Sequence, residues 1–210
     1  MTVREEFPSR AATIALVGGN LALDFVNSES GRGSPSHQNH LREPADVVAW
    51  LAHAGPLPVE DADWLRGEMA ARPALGEALH AGATALRAAI HGVGAPLARR
   101  QKPPAAALAD LSAHYARVVE RAALTTEGGA CGWRWPLRDA PVEAALGPVA
   151  LAAIGLFTSG DLSRVKECEG HACGWLFYDS TKNGRRRWCE MEVCGNRAKQ
   201  RRLAARRRGP

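Results

Sequence analysis

The chain has 210 residues, 46% of them apolar and 23% charged, which is enough to bury a core and excludes wholesale disorder. The formal net charge of +5 is unevenly placed: residues 1–161 carry 14 Lys and Arg against 17 Asp and Glu, a net of −3, while residues 162–210 carry 13 against 5, a net of +8. A mildly acidic body joined to a basic end points to a polyanion partner at that end.

Met1 to Glu6 lack the apolar core of a signal peptide. The longest apolar stretch, Val149 to Phe157, is nine residues, whereas a membrane span needs about 20. The expectation is a cytoplasmic protein with no membrane partner. No phosphate-binding loop, dinucleotide fingerprint, metalloprotease helix or nucleophile elbow occurs, so no enzymatic activity is expected. Gly92-Val93-Gly94, followed by Pro96, reads as a helix terminator.

In chain order, Asn20 to Asn27 follows the Gly18-Gly19 break and reads as a strand. Asp24 and Asn27 would then face opposite sides. Asp24 either hydrogen-bonds a neighbouring loop or joins Asn20 and Asn27 around a small-molecule pocket. Residues 28–40 read as a polar loop. Pro44 opens a helix that Gly55-Pro56 ends. Further helices are predicted over Asp61–Ala71, from Leu75 to about Gly94, and over Ala105–Val119. Gly128-Gly129 marks a hairpin with Trp133 and Trp135 on one face. Pro141 starts a helix that runs to Phe157 and stops at Thr158-Ser159-Gly160. The histidines of this region and the isolated Cys131 read as structural or surface groups. Residues 1–160 therefore read as a mostly helical domain with a small β component.

Residues 161–210 hold four of the five cysteines. Cys168 and Cys173 have four residues between them, as do Cys189 and Cys194, with fifteen between the pairs. Two close pairs about a short spacer suit one tetrahedral zinc held by four thiolates. With four protein ligands no coordination position is open to water, so the metal is expected to be structural. A piece this short needs such a staple to fold. Gly174 to Asp179 is β-rich, Asn183-Gly184 is a turn signal, and Arg185 to Trp188 reads as the returning strand. From Gly195 onward no breaker occurs before Gly209, giving a helix with Cys194 at its start. Arg197, Arg201 and Arg208 share one stripe of it, and Lys199, Arg202 and Arg206 lie on another side.

Cys168-x4-Cys173-Gly-Trp-Leu-Phe-Tyr-Asp, Arg187-Trp188-Cys189 and Cys194-Gly195-Asn196-Arg197 resemble the CGNR zinc-finger family. The Asn20–Asn27 stretch resembles the start of the ABATE domain that precedes the finger in that family. The resemblance implies an α+β chain: an ABATE-like domain over 1–160, for ligand sensing or homodimerisation, and a treble-clef-type finger over 161–210. It also implies a transcription regulator of the kind regarded as stress-induced. DNA is the expected partner, contacted by Arg185, Arg186, Arg187, Asn196, Arg197, Lys199, Arg201, Arg202 and Arg206. Asn196 and Arg197 either reach base edges or brace the finger. The alternative is an RNA-binding or protein-interaction module, with Trp175, Phe177 and Trp188 exposed for stacking. Removing zinc is expected to unfold residues 161–210 and spare the body.

Overall fold

The structure is a computed structural model that describes residues 9–207 apart from Gly128. It is mostly helical, with three two-stranded antiparallel pairs. Helix α1 (Leu21–Val26) occupies the stretch read as a strand. Asn20 caps it, its side chain accepting the Ala22 N–H, and Ala22, Leu23, Phe25 and Val26 are all buried. A short apolar run buried nearly all round carries no usable period, which is why the sequence misleads here.

The polar loop contains a small pair missed from sequence, β1 (Glu29–Ser30) with β2 (Gln38–Asn39). Helix α2 (Pro44–Ala54) begins at Pro44 and ends at Gly55 in the left-handed conformation. Helix α3 (Val59–Ala71) comes next, and then α4 (Pro73–Ala98). Helix α4 runs straight through Gly92, Gly94 and Pro96, so the expected terminator is not one. Those glycines serve packing. A Cβ at Gly92 would lie 3.0 Å from the Ala107 Cβ, and one at Gly94 would lie 3.0 Å from a Leu176 methyl. Close approach of neighbouring elements outweighs the helix cost of glycine, about 1 kcal/mol each.

Helix α5 (Ala105–Glu120) leads to the hairpin of β3 (Ala123–Glu127) and β4 (Ala130–Arg134). Gly128, half of the turn signal, lies outside the described residues. Trp133 is exposed, whereas Trp135 lies beyond the end of β4 and donates to the Val118 carbonyl at 2.7 Å, so the two do not share a strand face. Helix α6 (Pro141–Ser159) is long and apolar enough to cross a membrane by length and composition alone, more so than its longest unbroken apolar run indicates. Ala145, Leu146, Val149, Ala150, Ala153 and Leu156 of this helix sit in the core.

The core gathers α1 to α6 around Phe25 and Trp50, whose rings meet edge-on with centroids 5.0 Å apart. A buried polar knot pins the loop to α4. Arg87 donates to the Ser28 hydroxyl at 3.0 Å and to Asn39 Oδ1 at 2.8 Å, and pairs with Glu29 at 3.4 Å.

Strand β5 (Val165–Glu167) pairs with β6 (Leu176–Tyr178) in the register Val165↔Tyr178 and Glu167↔Leu176. Val165 and Leu176 belong to the body's core. A π-helical turn (Met191–Gly195) precedes the last helix, α7 (Asn196–Arg207), which has no buried residue. Arg208, placed on the arginine stripe, lies outside the described residues.

Candidate metal centre and basic helix

The zinc knuckle Cys168–Cys173 is the tip of the β5–β6 hairpin, so the partner strand of β6 precedes the knuckle. The expected return strand at Arg185 to Trp188 does not form. Two buried interactions explain this. Lys166 Nζ donates to the carbonyls of Gly184 (2.5 Å) and Arg186 (3.2 Å). Asp179, fully buried, accepts from Lys166 Nζ at 2.7 Å, from Arg186 N–H at 2.8 Å and from Thr181 N–H at 3.0 Å. These bonds draw residues 184–186 across the hairpin rather than along it. Burial alone would raise the Asp179 carboxyl, but the Lys166 ammonium, Thr181 and backbone donors hold it well below the usual range.

The chain then places all four cysteines together. Their sulfurs lie within 4.8 Å of one another, with Cys173–Cys189 at 3.7 Å and Cys189–Cys194 at 3.6 Å. A tetrahedron with metal–sulfur bonds of about 2.3 Å has edges of about 3.8 Å. Sulfurs in a disulfide would be about 2.05 Å apart, and all of these cysteines are free. The donor set therefore fits one structural zinc ion.

The electrostatics agree. Hydrogen bonds from Cys173 and Cys189, with backbone donors, pull the Cys168 thiol down to about 2. The same contacts push Cys173 up to about 12, and Cys189 also rises. One ionised thiol thus suppresses the others until a dication neutralises them. The surroundings are shaped for sulfur as well. Gly170 and Cys189 N–H groups donate to Cys168 Sγ at 3.3 and 3.2 Å. A Cβ at Gly170 would come within 2.9 Å of Cys194 Sγ and 3.2 Å of Cys168 Sγ. Cys194 itself sits in the π-helical turn, just before α7 rather than within it.

The predicted nucleic-acid residues divide into two groups. Arg186 is a structural lock: it donates to Trp188 O (2.9 Å), to Val17 O (2.9 Å) and to Cys189 O, and its guanidinium lies 4.4 Å from the Phe177 ring centroid. Arg187 is paired with Glu169. Asn196 donates to the Glu192 carbonyl at 3.0 Å, which braces the turn before α7. Arg185, Arg197, Lys199, Arg201, Arg202 and Arg206 are exposed, and none has an ion-pair partner among the described residues. Phe177 is fully buried, and Trp175 and Trp188 are half-buried against the finger's core, so the expected exposed stacking hairpin is absent.

Asn20, Asp24 and Asn27 are each engaged in internal hydrogen bonds. Asp24 Oδ1 accepts the Gly18 N–H at 2.7 Å, and burial pushes its carboxyl up to about 6 against the pull of that N–H and of Arg186. Asn27 is buried and uses its amide as a backbone mimic. It donates to Leu176 O and accepts from Leu176 N–H, both at 2.8 Å, clamping β6 on the side away from β5. With Tyr178 N–H donating to Gly18 O at 2.7 Å and Gly31 N–H to Cys173 O at 2.9 Å, it ties finger to body. Sequence reasoning missed these ties because each joins residues far apart in the chain.

A mostly helical domain thus carries a four-thiol zinc finger built into one end of its core, with a cationic helix projecting from the metal. The chain belongs to the ABATE family: the model for that domain, described as a putative stress-induced transcription regulator, matches residues 19–160. The model of the CGNR zinc finger matches residues 164–207. No curated protein matches the chain.

Proposed function

We propose that the protein is a DNA-binding transcription regulator whose zinc finger presents α7 to duplex phosphates. The observation that carries this reading is α7 itself. It holds Arg197, Lys199, Arg201, Arg202, Arg206 and Arg207 in twelve residues, with no acidic residue. Arg197–Arg201 and Arg202–Arg206 are like-charge neighbours one turn apart, which opposes the helix. A twelve-residue helix with no buried face is marginal in water even without such repulsion. Phosphates relieve the repulsion, and the released counterions drive binding. The family description supports the regulatory and stress-linked part of the reading. In the same reading the protein is cytoplasmic, has no catalytic activity and no membrane partner, and its body receives an effector or homodimerises.

Salt titration of the zinc-loaded chain on duplex DNA tests it. The logarithm of affinity should fall linearly with the logarithm of salt, at about −0.9 per phosphate neutralised. Lys199→Glu and Arg206→Glu should weaken binding at low salt without changing the metal content. A flat salt response, or no binding at low salt, overturns the reading.

A further inference from the structure

A groove of about 780 Å³ opens between the body and the finger. That size falls within the range of small-ligand sites, about 300–1,000 Å³. One wall comes from the body, with Arg10 and Gln38. The other comes from the finger and α7, with Trp175, Arg197, Arg201 and Arg202. Cations therefore face the space from both sides. None of those four arginines has an ion-pair partner among the described residues. Two carboxylates also line the groove: Glu169 is paired with Arg187, while Glu190 has no ion-pair partner among the described residues, so the unpaired cations outnumber the unpaired carboxylates, and Cys173, Cys189 and Cys194 of the metal centre form part of the same lining. Trp175 is half-buried and lines the groove with the part that remains exposed.

From this we infer that the groove binds a nucleotide: a phosphate held by the arginines and a flat base set against Trp175. Guanidinium groups suit phosphate oxygens by charge and by their forked geometry. An indole face suits any base. The effector site expected around Asn20, Asp24 and Asn27 is thereby relocated, since those residues are spent on caps and clamps. The ligand would touch body and finger at once, across the same boundary that Gly31 and Cys173 bridge with a hydrogen bond of 2.9 Å. Two sources share this chemistry, a free mononucleotide and an unpaired nucleotide within a strand. The duplex reading of α7 also uses Lys199 and Arg206, which do not line the groove, so the two readings can be tested apart.

The test is calorimetry of the zinc-loaded full chain with adenosine monophosphate, adenosine, inorganic phosphate and a five-residue deoxyadenosine strand. The monophosphate should bind at least about tenfold more tightly than either of its halves, the increment expected from one added charge-assisted contact. Arg201→Ala should weaken it by about tenfold for the same reason. Trp175→Phe keeps a ring in place and should weaken it less. Lys199→Ala and Arg206→Ala, outside the groove, should leave it unchanged. Tighter binding of the strand supports a nucleic-acid source, and equal or weaker binding supports a free nucleotide. Failure of both the monophosphate and the strand to bind at millimolar concentration overturns the inference. So does phosphate binding as tightly as the monophosphate, or an Arg201→Ala variant that binds normally. Duplex titration run in parallel separates the two readings, because each can fail while the other holds.

Discussion

The body and the finger close by opposite means. The body buries a large apolar cluster that includes Phe25, Trp50, Leu79, Ile90 and Val149. The finger's own cluster contains only Cys168, Phe177, Cys189 and Cys194, edged by Val17, Cys173, Trp175 and Trp188. Burial alone can hold the first, while the second depends on a metal and on hydrogen bonds. The two regimes do not meet at residue 161. Val165 and Leu176 lie in the body's core, so the hairpin strands are held with the helices. The knuckle and the residues C-terminal to Tyr178 are therefore the ones expected to depend on zinc.

Zinc removal tests that division and should have the largest effect. A chelator, or Cys168→Ser, should strip amide-exchange protection from Cys168–Cys173 and from residues 185–195. Protection at Val165–Glu167 and Leu176–Tyr178 should survive. Collapse of the whole segment from 161 onward would restore the simple division at that residue. Uniform loss in helices α1 to α6 would show that the body also needs the metal.

Next in size is Asn27→Ala. The substitution leaves the N–H and C=O of Leu176 without their partner in a buried place, at about 1–3 kcal/mol each. A loss of about 2–4 kcal/mol in denaturant unfolding is expected, with zinc bound. A loss below about 0.5 kcal/mol, typical of surface changes, would mean that the clamp does not hold finger to body.

Arg186→Ala and Arg201→Ala form a smaller paired contrast within one basic segment. Arg186 is spent on three backbone carbonyls and on Phe177, so its loss should loosen the finger by about 1–3 kcal/mol. Arg201 is exposed and unpaired, so its loss should leave stability within about 0.5 kcal/mol. Duplex affinity should fall for Arg201→Ala. Equal stability of the two variants, measured by thermal unfolding of the zinc form, would cancel the distinction between lock and contact.

This contrast shows what was legible in the sequence. Cysteine spacing located the four sulfurs because metal geometry restricts how ligand pairs can be arranged in a chain. Proline starts and helical periodicity located α2, α3, α5 and α6 because those signals are local. Arg186 could not be told from Arg201, since the Val17 carbonyl 169 residues away and the path of the backbone at Trp188 and Cys189 decide its role. Asn27 was noticed as a polar residue in an apolar run, but its partner is 149 residues away. The α1 segment was misread because six residues buried nearly all round show neither period. Arg10 and Gln38 as a groove wall had no sequence signal at all.

A last effect, confined to one pH window, concerns Asp24, which lies on the body but feels the finger's Arg186. Burial raises its carboxyl from 3.8 to about 6, and the Gly18 N–H and the Arg186 charge only partly offset that. The folded protein therefore binds this proton more tightly than the unfolded chain does. The cost of ionising Asp24 is absent below its unfolded value, grows as pH rises through the window up to about 6, and is complete above it. Asp24→Asn keeps an oxygen for the Gly18 N–H and removes the buried charge. The variant should match the parent near pH 4 and become the more stable of the two at pH 7.5, read as a difference in urea midpoint. If it is instead the less stable at pH 7.5, attraction between Asp24 and Arg186 outweighs burial. The join of body and finger would then be an ion pair as well as a set of backbone clamps.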